Sequence, residues 1–127
     1  MTDPSPEPAG GSSRIEELTR RLRAFRDARN WGQFHTPKDL AISISVEAAE
    51  LLEIFQWRTD ATELDESLVK KATDEAADVF LYLLLLCDRL GIDLVEAGES
   101  KITRNESRFP VDTAFGVAKP ADQSVAR

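Results

Sequence analysis

A chain of 127 residues with a net charge of −7 suits one compact domain, and its acidic balance excludes the basic stripe of a general nucleic-acid-polymer binder. The single cysteine, Cys87, cannot form a disulfide within the chain, which points to a reducing, cytoplasmic setting. Met1–Gly11 has neither a basic segment nor an apolar core, so no secretory signal is expected. The apolar run from Val79 to Cys87 is far short of the roughly 20 residues of a membrane helix, so the chain reads as soluble, with no membrane partner.

Residues 1–12 are rich in Pro, Gly and Ser and read as a disordered leader. Ser13 and Glu16 match a capping box, and Ile15, Leu18, Leu22 and Phe25 follow at helical spacing. That amphipathic helix should end near Arg29, with Arg and Glu on its other face. A loop over Asn30–His35 leads to a second helix, with Thr36 as cap, Pro37 at its first position and Asp39 near the positive end of its dipole. It should end around Gln56 to Arg58. A polar connection over Thr59–Glu63 precedes a third helix from Leu64 or Asp65 to Leu90, closed by Gly91. Asp93 and Glu96 form a second capping box for a fourth helix, and Pro110 stops it past Phe109. Residues 111–127 lose periodicity and read as a loose tail. The expected fold is all-α, a bundle of about four helices over 13–110.

The second and third helices carry the chemistry. Glu47-Ala48-Ala49-Glu50 sits among apolar residues of the second, and Glu75-Ala76-Ala77-Asp78 runs into Val79–Leu86 of the third. Carboxylates three apart share a helix face. At about 100° per residue, Ser43, Glu47, Glu50 and Ile54 form one stripe, and Lys71, Glu75, Asp78 and Tyr82 form another. Glu53 lies about 60° beyond Glu50, within reach as an outer ligand or hydrogen-bond acceptor. Burying such acids without partners is strongly unfavourable, so a cation is expected between the helices. With no His or Cys among the donors, the site suits Mg²⁺, with Mn²⁺ as the alternative, and not zinc. The competing reading is a pair of solvated acidic faces on a helical interaction module. A ferritin-like di-iron bundle is disfavoured, because it uses Glu-x-x-His pairs and the lone His35 is on neither acidic helix.

Glu47-x-x-Glu50 followed by Glu75-x-x-Asp78 resembles the signature of the all-α, MazG-like nucleoside triphosphate pyrophosphohydrolases. Trp31–Leu40, Glu50–Trp57 and Lys101–Pro110 look like its dCTP pyrophosphatase branch. The resemblance spans roughly 15–110. It implies that Glu47, Glu50, Glu75 and Asp78 hold Mg²⁺, with Glu53 accessory. It also implies that water attacks between the α- and β-phosphates of a nucleoside triphosphate, dCTP or a related pyrimidine nucleotide, releasing pyrophosphate. Another nucleotide, such as dUTP, a non-standard nucleotide or phosphoribosyl-ATP, is the alternative substrate. The sequence leaves the general base open between Glu50 and Glu53.

The same resemblance assigns His35 to the nucleotide pocket and Trp31 and Trp57 to base stacking, although their rings could equally cover the bundle ends. It gives Lys101 to phosphate, Asn105 to the sugar or base edge and Arg108 to phosphate, where otherwise a solvated helix face is expected. Tyr82 can reach the pocket from the acidic stripe, and Lys71 can compensate charge there. Four helices alone would leave the apolar backs of the second and third partly bare, so a homo-oligomer is expected, a dimer or a dimer of dimers.

Overall fold

The structure, a computed structural model, describes residues 10–59 and 63–118. It is all-helical: α1 (Gly10–Ala28), a 3-10 turn (Trp31–Phe34), α2 (Pro37–Phe55), α3 (Glu66–Leu90), α4 (Leu94–Arg108) and a single-turn α5 (Val111–Ala114). Among the described residues, no helix is long and apolar enough to cross a membrane. The chain divides into two compact units, Met1–Ile92 and Asp93–Arg127.

In the first unit, local chemistry sets the helix ends. The Thr36 hydroxyl accepts from the Asp39 N–H at 3.1 Å, and Pro37, which has no N–H to satisfy, starts α2. The Asp65 carboxylate accepts from the Leu68 N–H at 2.7 Å and starts α3. At the far end Gly91 adopts φ 67°, a left-handed conformation that a side chain would strain, and the Ile92 N–H closes onto the Cys87 carbonyl at 2.8 Å. Asn30, at φ 54°, turns the chain between α1 and the 3-10 turn.

Four expectations change. Helix α1 starts at Gly10, so Ser13 lies inside it and not at its start; a nucleated helix gains one hydrogen bond for each residue added at its end. Residues 1–9, the rest of the expected leader, lie outside the described residues. The supposed loop over Asn30–His35 contains a 3-10 turn, stabilised by the His35 N–H to Gly32 carbonyl bond at 3.1 Å. Helix α2 stops at Phe55, slightly before the expected end. Finally, Pro110 ends α4 but also starts α5, accepting from the Thr113 and Ala114 N–H groups through its carbonyl, which a proline retains. The later part of the expected tail, 119–127, lies outside the described residues, as does 60–62 of the expected connection.

Helices α2 and α3 pair most extensively, with α1 laid against α3. The direction of the α2–α3 pair follows from its shared surfaces. Glu53 and Trp57 share a pocket with Lys71 and Asp74, whereas Glu47 meets Glu75 and Asp78, so numbers fall along one helix as they rise along the other. The pair is antiparallel. Its core holds Leu40 of α2 and Leu68, Leu84, Leu85 and Cys87 of α3. The Arg23 guanidinium of α1 grips the Asp88 carboxylate of α3 through Nε at 2.9 Å and Nη2 at 2.6 Å. In the second unit, the Asp93 carboxylate accepts from the Glu96 N–H at 3.0 Å and begins α4 as its capping position predicts.

Candidate metal and nucleotide site

Antiparallel pairing brings the two acidic phrases face to face. One carboxylate oxygen from each of Glu47, Glu75 and Asp78 falls within 4.8 Å of the others. Oε2 of Glu47 and Oε2 of Glu75 are buried and have no hydrogen-bond partner. Unsatisfied buried acceptors are costly, and two of them beside a third carboxylate are costlier still. A hard divalent cation removes that cost. Its oxygen ligands stand about 2.0–2.6 Å from the metal, so an oxygen set spread over 4.8 Å can close on a single ion. The all-carboxylate donors therefore fit Mg²⁺ or Mn²⁺.

Glu50 lies outside that triad but lines the pocket beside it with Glu75, and its carboxyl is close enough to raise the pKa of both Glu47 and Glu75. Glu47 is pushed up from 4.5 to about 7, first by its hydrogen bond with Glu50, then by burial and by the charges of Glu50, Asp78 and Glu75. Glu75 is also raised, chiefly by loss of water and then by Glu50 and Asp78, while its hydrogen bond with Glu47 opposes the rise.

A pocket opens on each side of the acidic cluster. On the Asp78 side, a cavity of about 240 Å³ is lined by Trp31 and His35 from the turn, Tyr82 from α3, and Leu22, Phe25 and Arg26 from α1. Trp31 meets Phe25 edge to face, with centroids 5.6 Å apart, and the Arg29 guanidinium stacks 3.8 Å above the Phe25 ring. Nδ1 of His35 is buried in this unit without a partner. On the Glu50 and Glu75 side, a wider cavity of about 560 Å³ is lined by Glu53, Trp57, Arg58, Lys71 and Asp74.

Trp31, His35 and Tyr82 are thus gathered in one pocket, and Trp57 and Glu53 in the other, where Trp57 is 88% exposed. Lys101, Asn105 and Arg108 lie on α4, in the second compact unit, with Asn105 half-buried one turn from an exposed Lys101. Arg108 stacks 5.2 Å from the Phe109 ring. Phe25, Arg26, Arg58 and Asp74 were missed by sequence reasoning. Arg26 had a readable signal, because it follows Leu22 by four residues and so falls on the apolar side of α1, not on the opposite charged face.

The sequence pattern of the MazG-like family matches residues 42–123, beyond the expected domain end at Pro110. The chain belongs to the MazG-like family. It is 36% identical over 118 residues to dCTP pyrophosphatase 1 of Rattus norvegicus, covering 90% of this chain and 66% of that protein. The human protein of that name is 34% identical over 114 residues, covering 87% and 64%. The chain thus spans about two thirds of the length of these relatives. A crystal structure of a pyrophosphatase from Archaeoglobus fulgidus superposes with a TM-score of 0.69 at 46% identity, covering 76% of this chain and 93% of that one.

The raised carboxyls set a pH dependence. A carboxyl that holds its proton more tightly when folded favours folding below its unfolded value of 4.5, and that contribution is lost as pH rises through about 7. Without metal, the melting temperature should fall between pH 5 and pH 8. Mg²⁺ should restore it at pH 8 and do less at pH 5, where Glu47 holds its proton. Differential scanning fluorimetry at both pH values checks this; equal stabilisation by Mg²⁺ at pH 5 and pH 8 would contradict it.

Proposed function

We propose that the chain is a Mg²⁺-dependent nucleoside triphosphate pyrophosphohydrolase acting on dCTP or a close pyrimidine relative, in the cytoplasm. The observation that carries this reading is the meeting of Glu47, Glu75 and Asp78 with two buried oxygens that lack partners. The relatives' names supply the substrate. The reaction consumes one water and breaks the bond between the α-phosphorus and its bridging oxygen, giving a nucleoside monophosphate and pyrophosphate.

Each residue then has a task. Glu47, Glu75 and Asp78 would hold the ion, and Glu50 would complete the set as ligand or hydrogen-bond acceptor. Bound there, Mg²⁺ would neutralise the phosphates and make phosphorus more open to attack. Glu50 or Glu53, which both line the larger pocket, would accept the proton of the attacking water. The aromatic pocket of Trp31, His35 and Tyr82 takes the nucleoside. Arg58 and Lys71, lining the larger cavity, give positive charge to the departing pyrophosphate, with Trp57 at its rim. Lys101 and Arg108 serve phosphate and Asn105 the sugar or base edge.

The same proposal includes a homo-oligomer, a dimer or a dimer of dimers. Between Ala41 and Phe55, the exposed side of α2 carries Ile42, Val46, Ala48, Ala49 and Leu52, with Glu53 as its charged member toward the wider pocket. Apolar side chains exposed in such a row are normally covered, and a second copy, itself short of a broad core, gains as much as the first.

Two experiments test the reading. Purified protein incubated with a panel of nucleotides should release pyrophosphate from dCTP only when Mg²⁺ is present. Glu47→Gln and Asp78→Asn should each lower turnover at least about a hundredfold, since several kcal/mol of charge stabilisation is removed, while circular dichroism stays helical. Full activity in both variants would overturn the ligand assignment. Sedimentation at micromolar concentration should show an oligomer that Leu52→Glu dissociates; a monomeric parent would contradict the shared α2 face.

A further inference from the structure

Arg26 is a cation at the wall of a mainly aromatic and aliphatic pocket that also holds His35 and the Asp78 carboxylate, and it is held there from two sides. Its Nε lies 2.9 Å from Asp27 Oδ1, and its Nη1 lies 3.9 Å from Asp88 Oδ2. Asp88 is itself fixed by Arg23 through two hydrogen bonds to Oδ1. The Arg26 side chain is only 20% exposed, and its stem runs past Gly32, where an added Cβ would stand 3.5 Å from Nε. A long flexible side chain is thereby kept in one place at the wall of a cavity of about 240 Å³. The same wall carries His35, whose buried Nδ1 has no partner. Stacking alone would need neither group. A pocket with a fixed guanidinium and an unsatisfied ring nitrogen is built for a ligand with polar edges.

Building on the pyrophosphohydrolase reading, we propose that Arg26 reads the base, and that the Arg23–Asp88 pair is the device that positions it. Guanidinium is donor-only and permanently charged, with N–H groups in a flat fork. It pairs with two adjacent acceptors. Cytosine presents such a pair in its O2 and N3, whereas uracil and thymine place an N3–H donor there, which would face the guanidinium N–H groups without an acceptor. A donor set against a donor in a buried site leaves both unsatisfied, and such mismatches give the larger discriminations between similar substrates. Arg26 is thus a specificity residue that touches the substrate, and Asp88 is a positioning residue that acts through it.

The test uses the full chain with Mg²⁺ and compares kcat/KM for dCTP and dUTP. The parent should favour dCTP. Arg26→Ala should lower the dCTP to dUTP ratio by roughly tenfold to a hundredfold, with the change in KM for dCTP and not in kcat. Arg26→Lys keeps the charge but removes the fork, and should lower the ratio too, so the test survives if the alanine variant folds poorly. Asp88→Asn should lower the ratio less. An unchanged ratio in the arginine variants, or equal losses on both nucleotides, would overturn the inference and leave Arg26 as a brace between α1 and α3. A parent that hydrolyses dUTP as well as dCTP also overturns it, while the pyrophosphohydrolase reading stands. A parent inactive on every nucleotide removes that reading and the base preference with it.

Discussion

Like charges crowded together, with two of their oxygens cut off from water, are the constraint on which the rest of this structure depends. Glu47, Glu75 and Asp78 approach within 4.8 Å, and two of their oxygens are buried without partners. In the absence of a cation the chain relieves the repulsion by holding protons, which is why Glu47 rises to about 7 and Glu75 rises with it. Protons and a divalent ion therefore compete for the same oxygens. The fold makes sense as the frame that forces this competition.

That frame is the antiparallel pair of α2 and α3. Thr36 and Asp65 set where each helix begins, and so fix which residues lie opposite one another. A shift of one residue would rotate a helix by about 100° and turn its acids away. Leu40, Leu68, Leu84 and Leu85 lock the register by burial, each side chain worth about 1.5–3 kcal/mol. Helix α1 and the 3-10 turn then add what the acids lack, a pocket with aromatic walls. The Arg23–Asp88 bridge ties α1 to α3, so the pocket wall and the acidic stripe are held by the same helix.

Much of this was readable in the chain. The caps at Thr36 and Asp93 and the stop at Gly91 are local chemistry, and local chemistry is what a sequence displays. The two acidic phrases announced a shared face, and only antiparallel pairing was needed to bring them together. Contacts between distant residues were hidden. Arg23 and Asp88 are separated by 65 positions, and nothing near either one marks the other as its partner. Arg26 looked like part of a charged face until its spacing from Leu22 was set against the pocket. Ser13 misled because a capping pattern does not prevent a helix from extending through it, here as far back as Gly10. The two partnerless oxygens of Glu47 and Glu75 were equally invisible, since spacing gives direction but not which oxygen is buried.

Isothermal titration of Mn²⁺ into the metal-free chain at pH 7, in two buffers of different ionisation enthalpy, measures ion affinity and proton release together. A cation that displaces the proton Glu47 holds near pH 7 should bind with net proton release, and Glu75→Gln should weaken binding by at least about tenfold. Binding without proton release, at the same affinity in the variant, would show that these carboxylates do not hold the ion.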